Sequence, residues 1–167
     1  HLRTRRQRQM CIRDRVNGLA YCVGSIDLKP LKLTKKSDFM QSFNLNLVSA
    51  TEIIKSLADN LKASKGSIVL FSTVAVQQGF PNHAIVSSAK GAVEGLTLAL
   101  AAEYAPNIRV NCIAPSLTNS KISNFLLKNE KMAESIAKMH PLKRIGEGGD
   151  SASVSYTHLT LPTSPQV

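Results

Sequence analysis

A lysine, a histidine, an asparagine and a pair of hydroxyls are among the residues here whose types could move a proton or hold a polar ligand. Lys90 lies in the first turns of an otherwise apolar helical stretch, with Val86, Ala89 and Val93 around it. His83 precedes it by seven residues, close to two helical turns, so the two can share a face if helix or a tight loop extends that far. Imidazole gives and takes protons near neutral pH. Asn46 sits inside a second helical stretch, where asparagine is a poor choice because its amide competes for backbone hydrogen bonds. Thr73, with Ser72 beside it, follows an apolar run and carries a hydroxyl. Each has a plainer reading: a solvated helix lysine, an ordinary polar position, an exposed loop histidine next to Pro81 and Asn82. Cys11, Cys22 and Cys112 fit neither a metal spacing nor a disulfide framework, so no metal is expected. Cys22 and Cys112 fall in apolar runs and read as buried, inert thiols.

The elements that must position these residues are legible from periodicity. Ser67–Phe71 is a short β-branched apolar run and reads as a buried strand. From Ala84 to Tyr104 apolar residues recur at helical spacing, and Ile108–Ala114 is a second apolar strand. Strand, crossover helix and strand make a βαβ unit, hence a parallel sheet. Upstream, Val16–Val23 reads as another strand. A long helix follows, with Thr34 or Ser37 as N-cap and Phe39, Phe43, Leu47, Ala50, Ile54, Leu57 and Leu61 on one stripe. It should stop at Lys65-Gly66, on the glycine. Downstream, Pro115 ends the last strand, residues 120–129 begin a helical stretch, and Glu130–Met139 is a helix closed by Pro141.

At 167 residues the chain is one domain with room for a core. Its net charge of +10 suggests nucleic acid until it is located: six arginines and one aspartate in residues 1–15 carry half of it. A basic arm gripping phosphates is therefore the weaker reading. No run of 18 apolar residues suggests a membrane span, and the arginine-rich start has no apolar core of a signal peptide. A reducing cytoplasm is the expected compartment. Residues 1–15 and 153–167 match neither periodicity nor the elements they adjoin. They read as non-native sequence or disordered tails, which leaves 16–152 as the structured part.

Four phrases in that part, in order and at matching spacing, resemble the short-chain dehydrogenase/reductase family: Gly66–Thr73, Ser88–Thr97, Ile108–Pro115 and His140–Glu147 followed by Asp150. The resemblance implies the C-terminal half of a Rossmann-like α/β fold, a partial doubly wound parallel sheet of three strands with flanking helices. It implies NAD or NADP as cofactor, and hydride transfer to or from a carbonyl, alcohol or enoyl group of a small-molecule substrate. By position, Asn46, Thr73 and Lys90 match the family's Asn, Ser and Lys. Gly24, Lys90, Pro115 and Ser120 match positions that line the cofactor. The family's Tyr, the proton donor four residues before the Lys, is replaced by Val86. In the enoyl reductase branch the Tyr stands seven residues before the Lys, and that slot holds His83. Tyr21-Cys-Val-Gly24 keeps only the glycine of the family's Asn-Asn-Ala-Gly, and Ser116 stands where the family has a glycine.

The resemblance also places a Gly-rich phosphate-binding turn upstream of residue 16, so the chain is expected to be a fragment, inactive and without dinucleotide affinity by itself. The competing reading is a non-catalytic Rossmann-fold protein kept for binding or for oligomer formation. The helices at Ser37–Leu61 and Ala84–Tyr104 match those through which the family forms homo-oligomers.

Overall fold

The computed structural model describes residues 16–160. At its centre three parallel strands lie in chain order, β1 (Gly18–Tyr21), β2 (Ser67–Phe71) and β3 (Arg109–Ile113). The register sets Leu19 beside Ile68 and Ile68 beside Val110, then Tyr21 beside Leu70 and Leu70 beside Cys112. Because side chains alternate along a strand, these residues share one sheet face. Two long helical segments cover that face. The first comprises α1 (Lys36–Phe43), a π segment (Asn44–Val48) and α2 (Ser49–Ala63). The second follows the short α3 (Ala75–Gln78) and is α4 (Ala84–Tyr104). Ala50, Ile54 and Leu61 of α2 and Val93 of α4 meet Tyr21, Ile68, Leu70 and Val110 in one buried cluster. Each large aliphatic side chain buried this way contributes roughly 1.5–3 kcal/mol.

The opposite face is covered by α7 (Gly148–Thr160), which follows α5 (Asn124–Leu127) and α6 (Glu130–Met139). This helix crosses the expected boundary at 152/153: residues 153–160 continue it, Ser67 Oγ donates to the Leu159 carbonyl at 2.9 Å, and the Arg109 guanidinium donates to the His158 and Leu159 carbonyls. These contacts satisfy the last carbonyls of α7, which have no partner inside the helix. The expected tail at residues 1–15, Cys11 included, and positions 161–167 lie outside the described residues.

Several boundaries moved, each for a local reason. Strand β1 pairs only as far as Tyr21, so Cys22 and Val23 leave the sheet and are exposed. The buried reading of Cys22 is therefore corrected, while Cys112 is half-buried on β3. Helix α1 takes neither expected N-cap: Lys35 occupies that position, and its N–H donates to the Asp38 carboxylate at 3.0 Å. Thr34 instead donates its hydroxyl to the Leu31 carbonyl at 2.8 Å, closing a 3-10 turn over Leu31–Leu33. At the end of α2 the left-handed residue is Lys65, with φ 51°, and not the glycine. Gly66 is needed for a different reason: a Cβ there would stand 2.8 Å from the Asn17 carbonyl oxygen and 2.9 Å from a Leu61 methyl.

Candidate active site

The site is built at the C-terminal ends of the three strands, where chain leaving the sheet meets the two long helices. Lys90, in the second turn of α4, reaches back to the end of β2, where its Nζ donates to the Phe71 carbonyl at 2.8 Å. One of three ammonium protons is used, and the others remain for a ligand. Burial lowers the Lys90 pKa below the ordinary lysine value, while Cys112 and Cys22 nearby act in the opposite direction.

Asn46 comes to the same place because the helix is wound wider over Asn44–Val48. The extra residue per turn in a π segment shifts the side chains that follow, so Ser42, Asn46, Ala50 and Ile54 form the buried line. Asn46 is 1% exposed. Its Nδ2 donates to the Ser42 carbonyl at 2.9 Å and to Ser42 Oγ at 3.3 Å, whereas its Oδ1 is buried without a partner. A widened turn also leaves backbone carbonyls to be satisfied from outside, and the Tyr21 hydroxyl donates to the Leu45 carbonyl at 2.7 Å.

Gly24 joins these two residues. A Cβ there would stand 2.8 Å from Asn46 Oδ1 and 3.2 Å from Lys90 Nζ. The structure thus brings together Gly24, Asn46 and Lys90: a bare backbone, an unpaired acceptor and an ammonium. Between Thr73 and Ser72 the geometry separates the roles. Ser72 is buried and donates to the Glu94 carboxylate of α4, away from the loop. Thr73 Oγ1 accepts from the Ala75 N–H at 3.3 Å, which leaves its proton for another acceptor.

The remaining residues are placed elsewhere. His83 is the N-cap of α4, its Nδ1 2.8 Å from the Pro81 carbonyl oxygen and its ring tilted against Phe80. It lines a cavity of about 320 Å³ with Leu31, Val76, Phe80 and Ser87, and Lys90 does not line that cavity. Val86 is buried one turn before Lys90. Pro115 continues the strand ladder, its carbonyl accepting from the Val74 N–H at 3.2 Å. The Ser120 hydroxyl lies 2.9 Å from that of Ser123, inside a turn of its own. Reading the sequence missed Ser42 and Glu94 as partners. Buried polar residues four apart, Ser42 and Asn46, were the available signal for the first.

Comparison with known proteins agrees with this architecture. The family profile described as enoyl-(acyl carrier protein) reductase matches residues 8–160. A tropinone reductase homolog of Arabidopsis thaliana is 33% identical over 155 residues, covering 92% of this chain and 58% of that protein. Tropinone reductase-like 3 of Erythroxylum coca is 32% identical over 122 residues, covering 73% of this chain and 47% of that protein. The chain therefore spans about half the length of the curated relatives it matches. Among solved structures, ElxO with NADP bound superposes with a TM-score of 0.83 at 25% identity, covering 96% of this chain and 66% of that one. A short-chain dehydrogenase/reductase from Brucella melitensis superposes with a TM-score of 0.80 at 27% identity, covering 87% and 59%.

The residues present fit the nicotinamide end of such a cofactor. A buried amide oxygen without a partner and an ammonium with spare protons face a glycine whose Cβ would fill the space between them. Hydroxyl and amide groups of a nicotinamide riboside are the kind of ligand that satisfies both. With sheet, helices and profile in agreement over nearly all its length, the chain belongs to the short-chain dehydrogenase/reductase family of NAD(P)-dependent oxidoreductases.

Proposed function

We propose that this chain is the nicotinamide-binding half of an NAD(P)-dependent oxidoreductase acting on a carbonyl, alcohol or enoyl group of a small molecule, and that it lacks the proton donor of its family. The observation that supports this most is the convergence of Gly24, Asn46 Oδ1 and Lys90 Nζ at the mouth of the sheet. When bound, the cofactor supplies or accepts the hydride. Lys90 binds the ribose hydroxyls through its two remaining protons. Asn46 holds a polar group or water at its Oδ1, and Thr73 offers its hydroxyl to the substrate oxygen. Gly24 would leave the cofactor close backbone approach, and Pro115 and Ser120 are the further positions that the family resemblance assigns to its nicotinamide end.

Val86 has no proton to give, and this sets the limit on turnover. In a polypeptide that joins these residues to a Gly-rich phosphate-binding turn, hydride exchange with NADPH should be near background for ketones and enoyl thioesters. Val86→Tyr should raise it by about a hundredfold or more, the lower range of general acid catalysis. Ready turnover without the tyrosine contradicts the limit. It would instead favour His83 as the donor, whose Nε2 is left for a substrate by the Nδ1 contact to Pro81. In that case His83→Ala abolishes turnover and leaves cofactor binding intact.

A second reading, a non-catalytic member kept for oligomer formation, is favoured by Val86 itself and by apolar side chains on the outer faces of the long helices. Val48, Ile53 and Leu98 are exposed there, Leu98 to 74%. Cofactor binding without turnover on any carbonyl or enoyl substrate, together with stable association, is its signature.

A further inference from the structure

Ser116 and His140 form a hydroxyl–imidazole pair that the hydride-transfer reading does not use. Ser116 Oγ lies 2.6 Å from His140 Nε2, and His140 Nδ1 lies 2.8 Å from the Ile136 carbonyl oxygen. A carbonyl oxygen only accepts, so Nδ1 carries the ring proton. In the neutral imidazole Nε2 then holds the lone pair, and the serine hydroxyl is the donor. That tautomer is the one able to take the serine proton. The ring is fixed because Ile136 lies in the last turn of α6, where carbonyls lack intrahelical partners. The serine is fixed as well: the Pro115 carbonyl accepts from Val74 N–H on one side, and the Ser116 carbonyl accepts from the Thr118 hydroxyl at 3.1 Å on the other. Ser116 is exposed, so an incoming group can reach its Oγ.

Nucleophile, base and a third group that orients the base, all within hydrogen-bond reach, is the arrangement that activates a serine. We propose that Ser116, with His140 as its base, accepts the acyl group of small activated esters. The Ser116 oxygen adds to the ester carbonyl carbon as its proton passes to His140 Nε2. The bond to the leaving oxygen then breaks, and the leaving group departs with the proton from His140, or as an anion, in which case the imidazolium gives its proton to solvent water. Water, losing a proton to the neutral Nε2, then adds to the Ser116 ester, and the serine departs with that proton restored to its oxygen. The net change is ester plus water to acid plus alcohol, with no electron transferred. An ester whose leaving group carries its own negative charge, such as p-nitrophenyl acetate, places the smallest demand on the site.

A hydrogen bond serving only to tie the loop to α6 predicts no covalent chemistry, and this separates the two roles. The 167-residue chain is mixed with p-nitrophenyl acetate, p-nitrophenolate release is followed, and the acetylated residue is mapped by mass spectrometry. The expected result is an initial burst and an acetyl group on Ser116. His140→Gln should slow acetylation by about a hundredfold, the scale of a positioned general base, and Ser116→Ala should remove the adduct. Wild-type chain unfolded in urea is the control that does not depend on a variant folding, and there the adduct should vanish. No adduct on Ser116, or one that forms at the same rate in His140→Gln or in urea, overturns the proposal.

Discussion

The ammonium of Lys90 is held where burial works against its charge. An unfolded lysine titrates near about 10.4. Because the folded value is lower, the folded chain gives up a proton that the unfolded chain keeps as pH rises between the two values. Stability attributable to Lys90 therefore increases with pH through that window, and below it the cost of burying the charge is carried in full. Lys90→Met should be more stable than wild type at pH 7 by about 0.5–2 kcal/mol, as expected for a substitution that trades a functional group for stability. The difference should narrow as pH approaches the unfolded value. Urea unfolding at a series of pH values checks both, and a variant less stable than wild type contradicts the account. The Arg144–Asp150 pair is the opposite case, a surface pair whose carboxyl is held down to about 2 by the guanidinium. Its contribution persists until strong acid and is small because both groups are solvated.

At the scale of elements, the π segment decides where Asn46 points, and the Tyr21 hydroxyl satisfies the Leu45 carbonyl within it. Tyr21→Phe keeps the ring and removes the donor, so a half-buried carbonyl loses its partner at a cost of about 1 kcal/mol. The expected readout is a lower unfolding midpoint in urea with an unchanged slope; an unchanged midpoint contradicts the assignment. This element also shows where sequence reading stopped. Strand β2, helix α4 and helix α6 were legible to the residue, because apolar period and flanking Pro, Gly or polar residues agreed. The stripe across α1 and α2 was read as one α-helix. Its steps of four from Phe39 to Phe43 to Leu47 are the trace of the widened turn, and a period of 3.6 does not separate them from ordinary drift. Lys90 and Asn46 were legible as candidates by type. That both converge on Gly24 was not, since bringing two helices to the ends of β1 and β2 is a property of the packed sheet. Helix α7 was illegible for another reason: Ser, Thr and Gly dominate it, and it is held by carbonyl contacts to Ser67 and Arg109 more than by an apolar stripe.

For the whole molecule, three layers are joined at a sheet whose two outer strands have no further strand beside them among the described residues. The outer faces of α2 and α4 carry the exposed Ile53 and Leu98. If two copies associate through these helices, Leu98→Glu should weaken the association at least about tenfold, since burying a leucine is worth roughly 1.5–3 kcal/mol. Sedimentation equilibrium measures this, and equal association of the two proteins would place the interface elsewhere. The central claim is that Gly24, Asn46 and Lys90 form the nicotinamide end of a dinucleotide site. It is tested most directly by titrating the isotope-labelled chain with nicotinamide mononucleotide and following amide resonances by NMR. The account predicts shifts centred on the Gly24 backbone amide and the Asn46 side-chain amide, lost in Lys90→Met. Shifts centred elsewhere, shifts that survive Lys90→Met, or no shift at millimolar ligand would contradict it.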